Sequence, residues 1–370
     1  MKPLLPLSAM LLLTSAATLT RAQDQTAPAT TGSTTAAPDS TSPSATTNST
    51  DKVLLRLHLQ SGQNYLMRQT TNSKVTQILP QMGTTPPQRM DLTTINSIAM
   101  LYAVQQVDAN GTAAVKVSYR SIQVKFSGKM GQQPMPYTTY DSDHPGKSAS
   151  PIATIYKALI GQSVSMKISS DGHISDIQGL TNIKKRLLSS MNSLSGGKEA
   201  SAAVSKMMGA FLDDRTFKAS MEKMTATYPE HEVGIGDSWP FQLTLPEQLP
   251  LVVKGIRTLK ERKDGIAYIE EKGNIQLNAN KPLMTVNHLD LIYHLGGTQT
   301  GMTQLDEATG FVGKATMEQR FSGTITMTGM DTLKTPLRQS KVALPHSASY
   351  PLYSKTTIQI TTEPFKPAGL

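Results

Sequence analysis

The stretch Phe311–Met327 reads FVGKATMEQRFSGTITM and alternates between two kinds of residue. Its odd positions are apolar or glycine, apart from Gln319, and its even positions are polar, apart from Val312. A period of two is typical of an antiparallel strand with one buried face. At about 3.3 Å per residue the run would span roughly 55 Å, so it must twist or bend. Gly313 and Gly323 are the predicted bend points, and we expect a wide, curved sheet with one solvent-facing side.

The same alternation recurs in both halves of the chain. In the first half it predicts strands at 53–59, 65–79, 90–107, 113–126, 164–168 and 174–177. In the second half it predicts strands at 239–245, 250–262, 266–277, 284–295, 298–307 and 355–362. Asn110-Gly111 and Asp264-Gly265 favour tight hairpin turns. The alternation changes parity between Tyr119 and Ile122, which indicates a bulge.

A helical pattern separates the two halves. Ser150-Pro151 has the residues of a helix start, and Gly161 those of a helix end. From Gly179 onward, apolar residues recur at helical spacing through 180–232. We therefore predict an α+β fold that is mainly antiparallel β. It has two curved sheets, from a probable internal duplication, and a central helical block packed on or between them.

The chain divides into three parts. Residues 1–22 have a basic start, a short apolar run and a small-residue cleavage site, which predicts a signal peptide. Residues 23–51 are rich in Ser, Thr, Pro and Ala and predict a disordered linker. Residues 52–370 form the predicted β-rich domain, with halves 52–179 and 233–330 joined by the helical segment 180–232. No second apolar run approaches a membrane span, so we expect a soluble mature chain in the periplasm or outside the cell.

The amino-acid composition excludes several kinds of chemical site. The chain has no cysteine, which excludes disulfides, a lipobox anchor, thiolate catalysis and cysteine-type metal centres. Its formal net charge of +9 comes from Lys and Arg spread along the chain. Nucleic-acid binding would need a basic stripe, so we do not expect it. The scattered basic residues either keep the surface soluble or attract anionic lipid or polysaccharide.

Three groups of polar residues contain the residue types of a metal site or a catalytic site. His288, Asp290 and His294 fall on a predicted strand, where the two histidines would lie about 20 Å apart and could not share one ion. The loop 141–144 is acidic but lacks the spacing of a calcium loop. Gly236-Asp237-Ser238 is interpreted as a turn that enters a strand. We therefore predict no catalytic, cofactor-binding or metal-binding residues.

Methionine is unusually frequent, with 19 residues against 7 phenylalanines. Flexible methionine side chains fill irregular cores and also suit surfaces that accept variable apolar shapes. Three interpretations remain open: a methionine-filled core, a cavity for a lipid-like ligand, and copper binding through methionine. The ligand-facing candidates are Met207, Met208, Phe211, Met317, Phe321 and Met327.

Several short motifs resemble an uncharacterised family of secreted bacterial β-rich proteins, catalogued as a domain of unknown function. They lie at 55–65, 140–143, 159–161, 171–174, 179–180 and 234–239, and the resemblance covers most of residues 52–330. The family implies no activity that can be transferred. A looser likeness is to periplasmic lipoprotein carriers, which wrap a curved half-barrel around helices and hold acyl chains.

These observations predict an exported, non-catalytic protein of the envelope or the exterior that binds an apolar or amphiphilic ligand. The alternative is a structural module at the cell surface that binds a protein or polysaccharide. A hydrolase is the third hypothesis. The expected partner is a lipid-like ligand or an envelope component, and no cofactor is expected.

Overall fold

A computed structural model describes residues 52–79, 87–146, 151–192, 218, 221, 228–244, 251–277, 284–286, 289–328 and 347–366. The predicted signal peptide at 1–22 and the predicted linker at 23–50, with Asp51, lie outside the described residues.

The described chain consists mainly of long strands. The strands of the first half are β1 (Asn64–Leu79), β2 (Gln88–Val107), β3 (Ala113–Met130), β4 (Gln133–Pro134), β5 (Thr138–Asp141), β6 (Ser163–Ile168) and β7 (Ile174–Gln178). Those of the second half are β8 (Ser238–Thr244), β9 (Leu251–Lys263), β10 (Ile266–Leu277), β11 (Met284–Val286), β12 (Leu289–Asp306), β13 (Val312–Thr328) and β14 (Ser347–Pro364). Two helices, α1 (Pro151–Leu159) and α2 (Leu180–Asn192), follow β5 and β7.

All described strands belong to one antiparallel sheet, so the prediction of two sheets is wrong. The strand order is β7-β6-β3-β2-β1-β14-β13-β12-β10-β9-β8, with β4 and β5 beside β3 and β11 beside β12. The two predicted halves form adjacent parts of this one sheet, the first half from β7 to β1 and the second half from β13 to β8. They meet where β14 pairs with β1 on one edge and with β13 on the other. β14 is 18 residues long, whereas the alternation predicted only 355–362, and this longer strand closes the gap between the halves.

The predicted central helical block is also wrong as a layer between two sheets. α2 packs Leu180, Ile183 and Leu187 into the main apolar core on one face of the single sheet. α1 covers a smaller cluster in which Tyr156 stacks on Tyr140 with ring centroids 6.1 Å apart. Residues 193–217 of the predicted block lie outside the described residues.

Four hairpin turns of the described chain lie at one end of the sheet, which we call the turn end, whereas the β3–β4 turn at 131–132 lies at the opposite end. The four turns of the turn end lie at 108–112, 169–173, 264–265 and 307–311. At the Asn-Gly turn the Asp108 carboxylate accepts hydrogen bonds from the backbone amides of Asn110 and Thr112, both at 2.9 Å. The opposite end, where β1 ends at Leu79 and β13 ends at Thr328, is the far end.

The segment 53–59, which we call the plug, crosses the turn end and does not form the predicted strand. Its one ladder contact among the described residues is the bridge between Val53 and Val233. The Leu57 amide donates to the Ser170 carbonyl at 2.7 Å, and the His58 amide donates to the Thr309 carbonyl at 2.7 Å. Ser170 follows β6 and Thr309 follows β12, strands that are six neighbours apart in the sheet order. A flat sheet would separate these turns by about 29 Å. Consecutive amides reach both turns, so the predicted curvature is confirmed.

The two predicted bend points on β13, Gly313 and Gly323, have different structural roles. Gln304 pairs with Lys314 and Leu305 pairs with Val312, so Gly313 is the extra residue of a bulge. The bulge also explains why Val312 is buried although it has the parity of the polar face. Gly323 has a φ of +153°, and a side chain there would collide with the His294 carbonyl. Gly323 therefore permits a close approach of β12 and does not leave free space.

Candidate binding face

The inner face of the sheet is defined by alternate buried positions that stay in register from strand to strand. At the turn end this face is apolar, and the plug residues Leu55, Leu57 and Leu59 lie against it, each 7% exposed or less. Phe311 stacks on Tyr65 with ring centroids 4.8 Å apart and meets Tyr102 edge-on at 5.8 Å. The chain itself therefore fills the turn end of the inner face.

A polar belt crosses the middle of the inner face. It occupies two neighbouring rows of register partners, in which Ser73 of β1 lies opposite Thr94 of β2 and Thr356 of β14. All its members are buried. The belt comprises Asn96, Thr94, Thr71, Ser73, Thr356, Gln319, Gln299, Glu271 and Arg257.

Side-chain hydrogen bonds link the belt residues of β9, β10, β12 and β13 to one another. Arg257 Nε donates to Glu271 Oε2 at 2.9 Å, and both side chains are 6% exposed. The Gln299 amide donates to Glu271 Oε1. The Gln319 amide in turn donates to Gln299 Oε1 at 2.6 Å. A buried charge is tolerated when it is paired and hydrogen-bonded in this way.

Phe241 of β8 supports the charged end of the belt. Its ring centroid lies 4.6 Å from the Arg257 guanidinium carbon, a cation–π distance. The ring lies over Gly255 and Gly273, where an added Cβ would approach ring atoms to 2.6 and 3.1 Å. These two glycines are therefore explained by packing.

Beyond the belt the inner face becomes apolar again. We call this surface the far-end face, and its members are buried. The pairing registers place them on β2, β1, β14, β13 and β12 as side-by-side neighbours. The far-end face comprises the apolar residues Met90, Leu92, Val75, Leu352, Phe321, Ile325, Met327 and Leu295, together with Gln77, Ser354, Tyr350 and Tyr293.

The sequence-predicted ligand-facing residues fall into three groups. Phe321 and Met327 lie on the far-end face, 7% and 6% exposed. Met317 is not a belt member but an apolar residue in one of the belt's two rows, opposite Gly301 of β12 and Ile358 of β14. Met207, Met208 and Phe211 lie outside the described residues.

Gln77 is a polar member of the far-end face, as is Ser354 in the neighbouring row. Gln77 is 0% exposed, and within the described part of the chain neither its Nε2 nor its Oε1 has a hydrogen-bond partner. Its register partners are Met90 of β2 and Leu352 of β14, both apolar. Buried side-chain polar atoms in native proteins are usually hydrogen-bonded, so a fully buried amide that is unpaired at both ends is unusual.

Other buried polar atoms lack a partner elsewhere on the inner face. They include the Tyr102 hydroxyl at the turn end, Asn96 Oδ1 in the belt and Thr362 Oγ1. Burial raises the pKa of Tyr102 far above its ordinary value, which keeps the hydroxyl protonated. Each of these is a single atom, whereas Gln77 presents a donor and an acceptor together.

The polar groups weighed from the sequence have structural roles. Asp237 accepts a hydrogen bond from the Gly234 amide at 2.9 Å and pairs with Lys52 at 3.3 Å, which confirms a turn that enters a strand. The backbone amide of Gly234 lowers the pKa of Asp237, with Lys52 adding to the effect. His294 lies on β12 and is exposed, and His288 lies outside the described residues.

The loop 141–144 is held by its own contacts. Asp141 accepts from the Asp143 amide at 2.9 Å, which lowers the pKa of Asp141, and His144 lies 3.4 Å away. Within the described ranges, no three His, Asp or Glu side chains form a group that could hold a metal ion.

Sequence reasoning missed Gln77 and most of the belt. The signal was present for Gln319, which stands out as an exception on the apolar side of Phe311–Met327. Gln77 has the inward parity of the strand predicted at 65–79, where a glutamine in place of an apolar residue was the available sign. Its lack of partners depends on its neighbours in β2 and β14. The alternation of residues along one strand does not predict which strands pair with it.

The fold and this face define a curved antiparallel sheet protein whose inner face is split into two apolar zones by a polar belt. A model of the family of unknown function DUF6263 matches residues 110–312, and the chain belongs to that family. No curated protein matches the chain in sequence. None of the helices in the described ranges combines the length and apolar character needed to cross a membrane.

Three solved structures show distant likeness. Lipovitellin, from a study of lipid–protein interactions, is 11% identical with a TM-score of 0.39; the match covers 84% of this chain and 26% of that one. The outer membrane protein OprG from Pseudomonas aeruginosa is 6% identical, TM-score 0.24, with coverage of 83% and 97%. The outer membrane protein AlkL in lipid bilayers is 7% identical, TM-score 0.20, with coverage of 90% and 100%. Likeness at these TM-scores carries no weight for function.

Proposed function

We propose that the protein is an exported, non-catalytic binding protein of the cell envelope or the exterior, and that it holds an apolar or amphiphilic ligand against the far-end face. One observation carries the proposal. The apolar surface continues over neighbouring strands beyond the polar belt, whereas the chain's own plug lies at the other end.

The export part of the proposal rests on the sequence. Residues 1–22 have the features of a signal peptide, and the absence of cysteine is compatible with an exported chain that is stabilised by its core. The non-catalytic part rests on the sequence, which contains no catalytic motif that we assign.

The test is native mass spectrometry of full-length protein purified from the envelope fraction of its own host, followed by solvent extraction. The expected result is a reproducible added mass that extracts as a lipid-like molecule. A clean mass of the protein alone would contradict ligand binding. It would direct the search to the alternative function, a surface module for a protein or polysaccharide partner.

A matched pair of variants assigns the added mass to the far-end face. Leu352→Gln places a polar side chain on this face, and Tyr353→Gln changes the adjacent residue on the outer face, which is 44% exposed. We expect the extracted ligand to decrease only in Leu352→Gln, with circular dichroism confirming that both variants fold. Equal ligand content in both variants would exclude the far-end face as the site.

A further inference from the structure

We propose that Gln77 is the polar subsite of the far-end face and that it binds the amide group of an amphiphile whose acyl chain is amide-linked. The inference rests on the proposed function and deepens it, because it names the chemical group that the face recognises. Its starting point is the buried Gln77 amide, whose Nε2 and Oε1 both lack a partner among the residues that the structure describes.

Gln77 has no hydrogen-bond partner among the described residues, although Tyr350 and Ser354 flank its partner Leu352 on the inner side of β14. Its register partners Met90 and Leu352 are apolar, and beyond Leu352 the row continues with Gly323 and Leu295. The nearest belt residue on the same strand is Ser73, four residues away, or about 13 Å along the strand. The Ser73 hydroxyl is already shared with Thr356 at 3.0 Å.

The two unpaired atoms determine which ligand group fits. Nε2 donates and Oε1 accepts, so a complementary neutral group must accept and donate side by side. An amide does both. An ester has no donor and would leave Oε1 unpaired, and an ionised carboxylate would do the same while bringing a charge into an apolar zone. The nearest charged donor of the belt, Arg257, is already paired with Glu271.

The surrounding residues fit the rest of such a ligand. Val75 precedes Gln77 on the inner side of β1, and Phe321 lies across Ser354 in the row of Val75. Both side chains are apolar and buried. An acyl chain that extends from an amide held at Gln77 would therefore contact an apolar surface, and the polar belt marks its limit toward the turn end.

The test compares three probes of equal chain length, decanamide, methyl decanoate and decanoate at pH 8, by equilibrium dialysis against the full-length protein. The expected result is that decanamide binds about tenfold more tightly than the ester, the scale of one or two net hydrogen bonds, and that decanoate binds no better than the ester. Equal affinity for amide and ester would overturn the Gln77 subsite and leave the proposed function standing. No binding of any probe would overturn both.

Variants separate recognition from folding. Gln77→Leu and the near-isosteric Gln77→Met are expected to bring decanamide affinity down to that of the ester, with ester affinity retained. Tyr102→Phe, which removes an unpaired hydroxyl at the turn end, is the matched control and should keep the full amide preference. An amide preference that survives both Gln77 variants, or that is lost in Tyr102→Phe, would overturn the assignment.

Discussion

The two apolar zones of the inner face are made from the same strands but are completed differently. At the turn end, the plug 53–59 hydrogen-bonds to turns on both sides of the curved sheet, and Phe311 packs on Tyr65 and Tyr102. At the far end, the same strands present apolar side chains around the unpaired amide of Gln77. The difference teaches that burial alone does not describe the two zones: among the described residues the turn end leaves the Tyr102 hydroxyl unpaired, whereas the far end leaves both the donor and the acceptor of Gln77 unpaired.

The polar belt is the border between the zones, and breaking it should have the largest effect. Glu271→Ala leaves Arg257 buried without its carboxylate and removes an acceptor from Gln299. We expect the free energy of unfolding to fall by about 3–5 kcal/mol, the usual cost of orphaning a buried charge. Urea unfolding followed by circular dichroism measures it.

Lys167→Ala is the control for that prediction, because Lys167 pairs with Asp176 at 2.6 Å on the surface, where its side chain is 54% exposed. Its unfolding midpoint should not change measurably. A Glu271→Ala loss below about 1 kcal/mol would show that the belt does not depend on a dry ion pair.

The plug should contribute the next largest effect. Leu57 is 3% exposed, and Leu57→Ala removes buried methyl groups and leaves a cavity at the turn end. A loss of about 2–5 kcal/mol in the free energy of unfolding is expected. Leu54→Ala is the matched control, because Leu54 is 43% exposed and should change stability by less than about 0.5 kcal/mol. Similar losses in the two variants would mean that the plug is not part of the core.

Replacing Gln77 should raise the free energy of unfolding, whereas the two preceding substitutions lower it. Gln77→Leu removes an unpaired buried amide, so the ligand-free protein should become more stable by about 1–3 kcal/mol. Tyr102→Phe removes one unpaired hydroxyl and keeps the ring against Phe311, so its gain should be smaller. Thermal unfolding of delipidated protein provides the comparison. A destabilised Gln77→Leu would indicate that the amide is satisfied in solution.

The outer face at the far end should give the smallest effect. The hydrogen bond from Arg89 holds the pKa of Asp91 below its ordinary value, and Thr76 adds a second bond at 2.7 Å. Because the pKa of Asp91 is lower in the folded state than in the unfolded state, its carboxylate stabilises the fold at any pH above the unfolded-state pKa. This stabilisation is lost as the pH falls through the folded-state pKa.

Asp91→Asn should therefore cost less than about 1 kcal/mol at pH 7 and nothing at pH 2. Unfolding midpoints measured between these pH values test the sign. A variant that is less stable by the same amount at both pH values would show that the carboxylate charge is not the cause.

Much of the fold could be predicted from local pattern. The strand at 65–79, the hairpin at Asn110-Gly111, the bulge between Tyr119 and Ile122, and the helix from Pro151 are all present. The strand predicted at 53–59 is wrong, because that segment bonds to turns instead of to a neighbouring strand. The strands predicted at 284–295 and 298–307 are instead β11 and the continuous β12.

The sequence by itself determined which residues face inward, because alternation along a strand is a property of neighbouring residues and needs no partner. Only the tertiary structure decided that β14 pairs between β1 and β13, which unites two expected sheets into one. The same long-range pairing aligned the belt into a bonded row and left Gln77 between Met90 and Leu352. Hydrogen-bond satisfaction of a side chain depends on the strands beside it, and those strands come from distant parts of the chain.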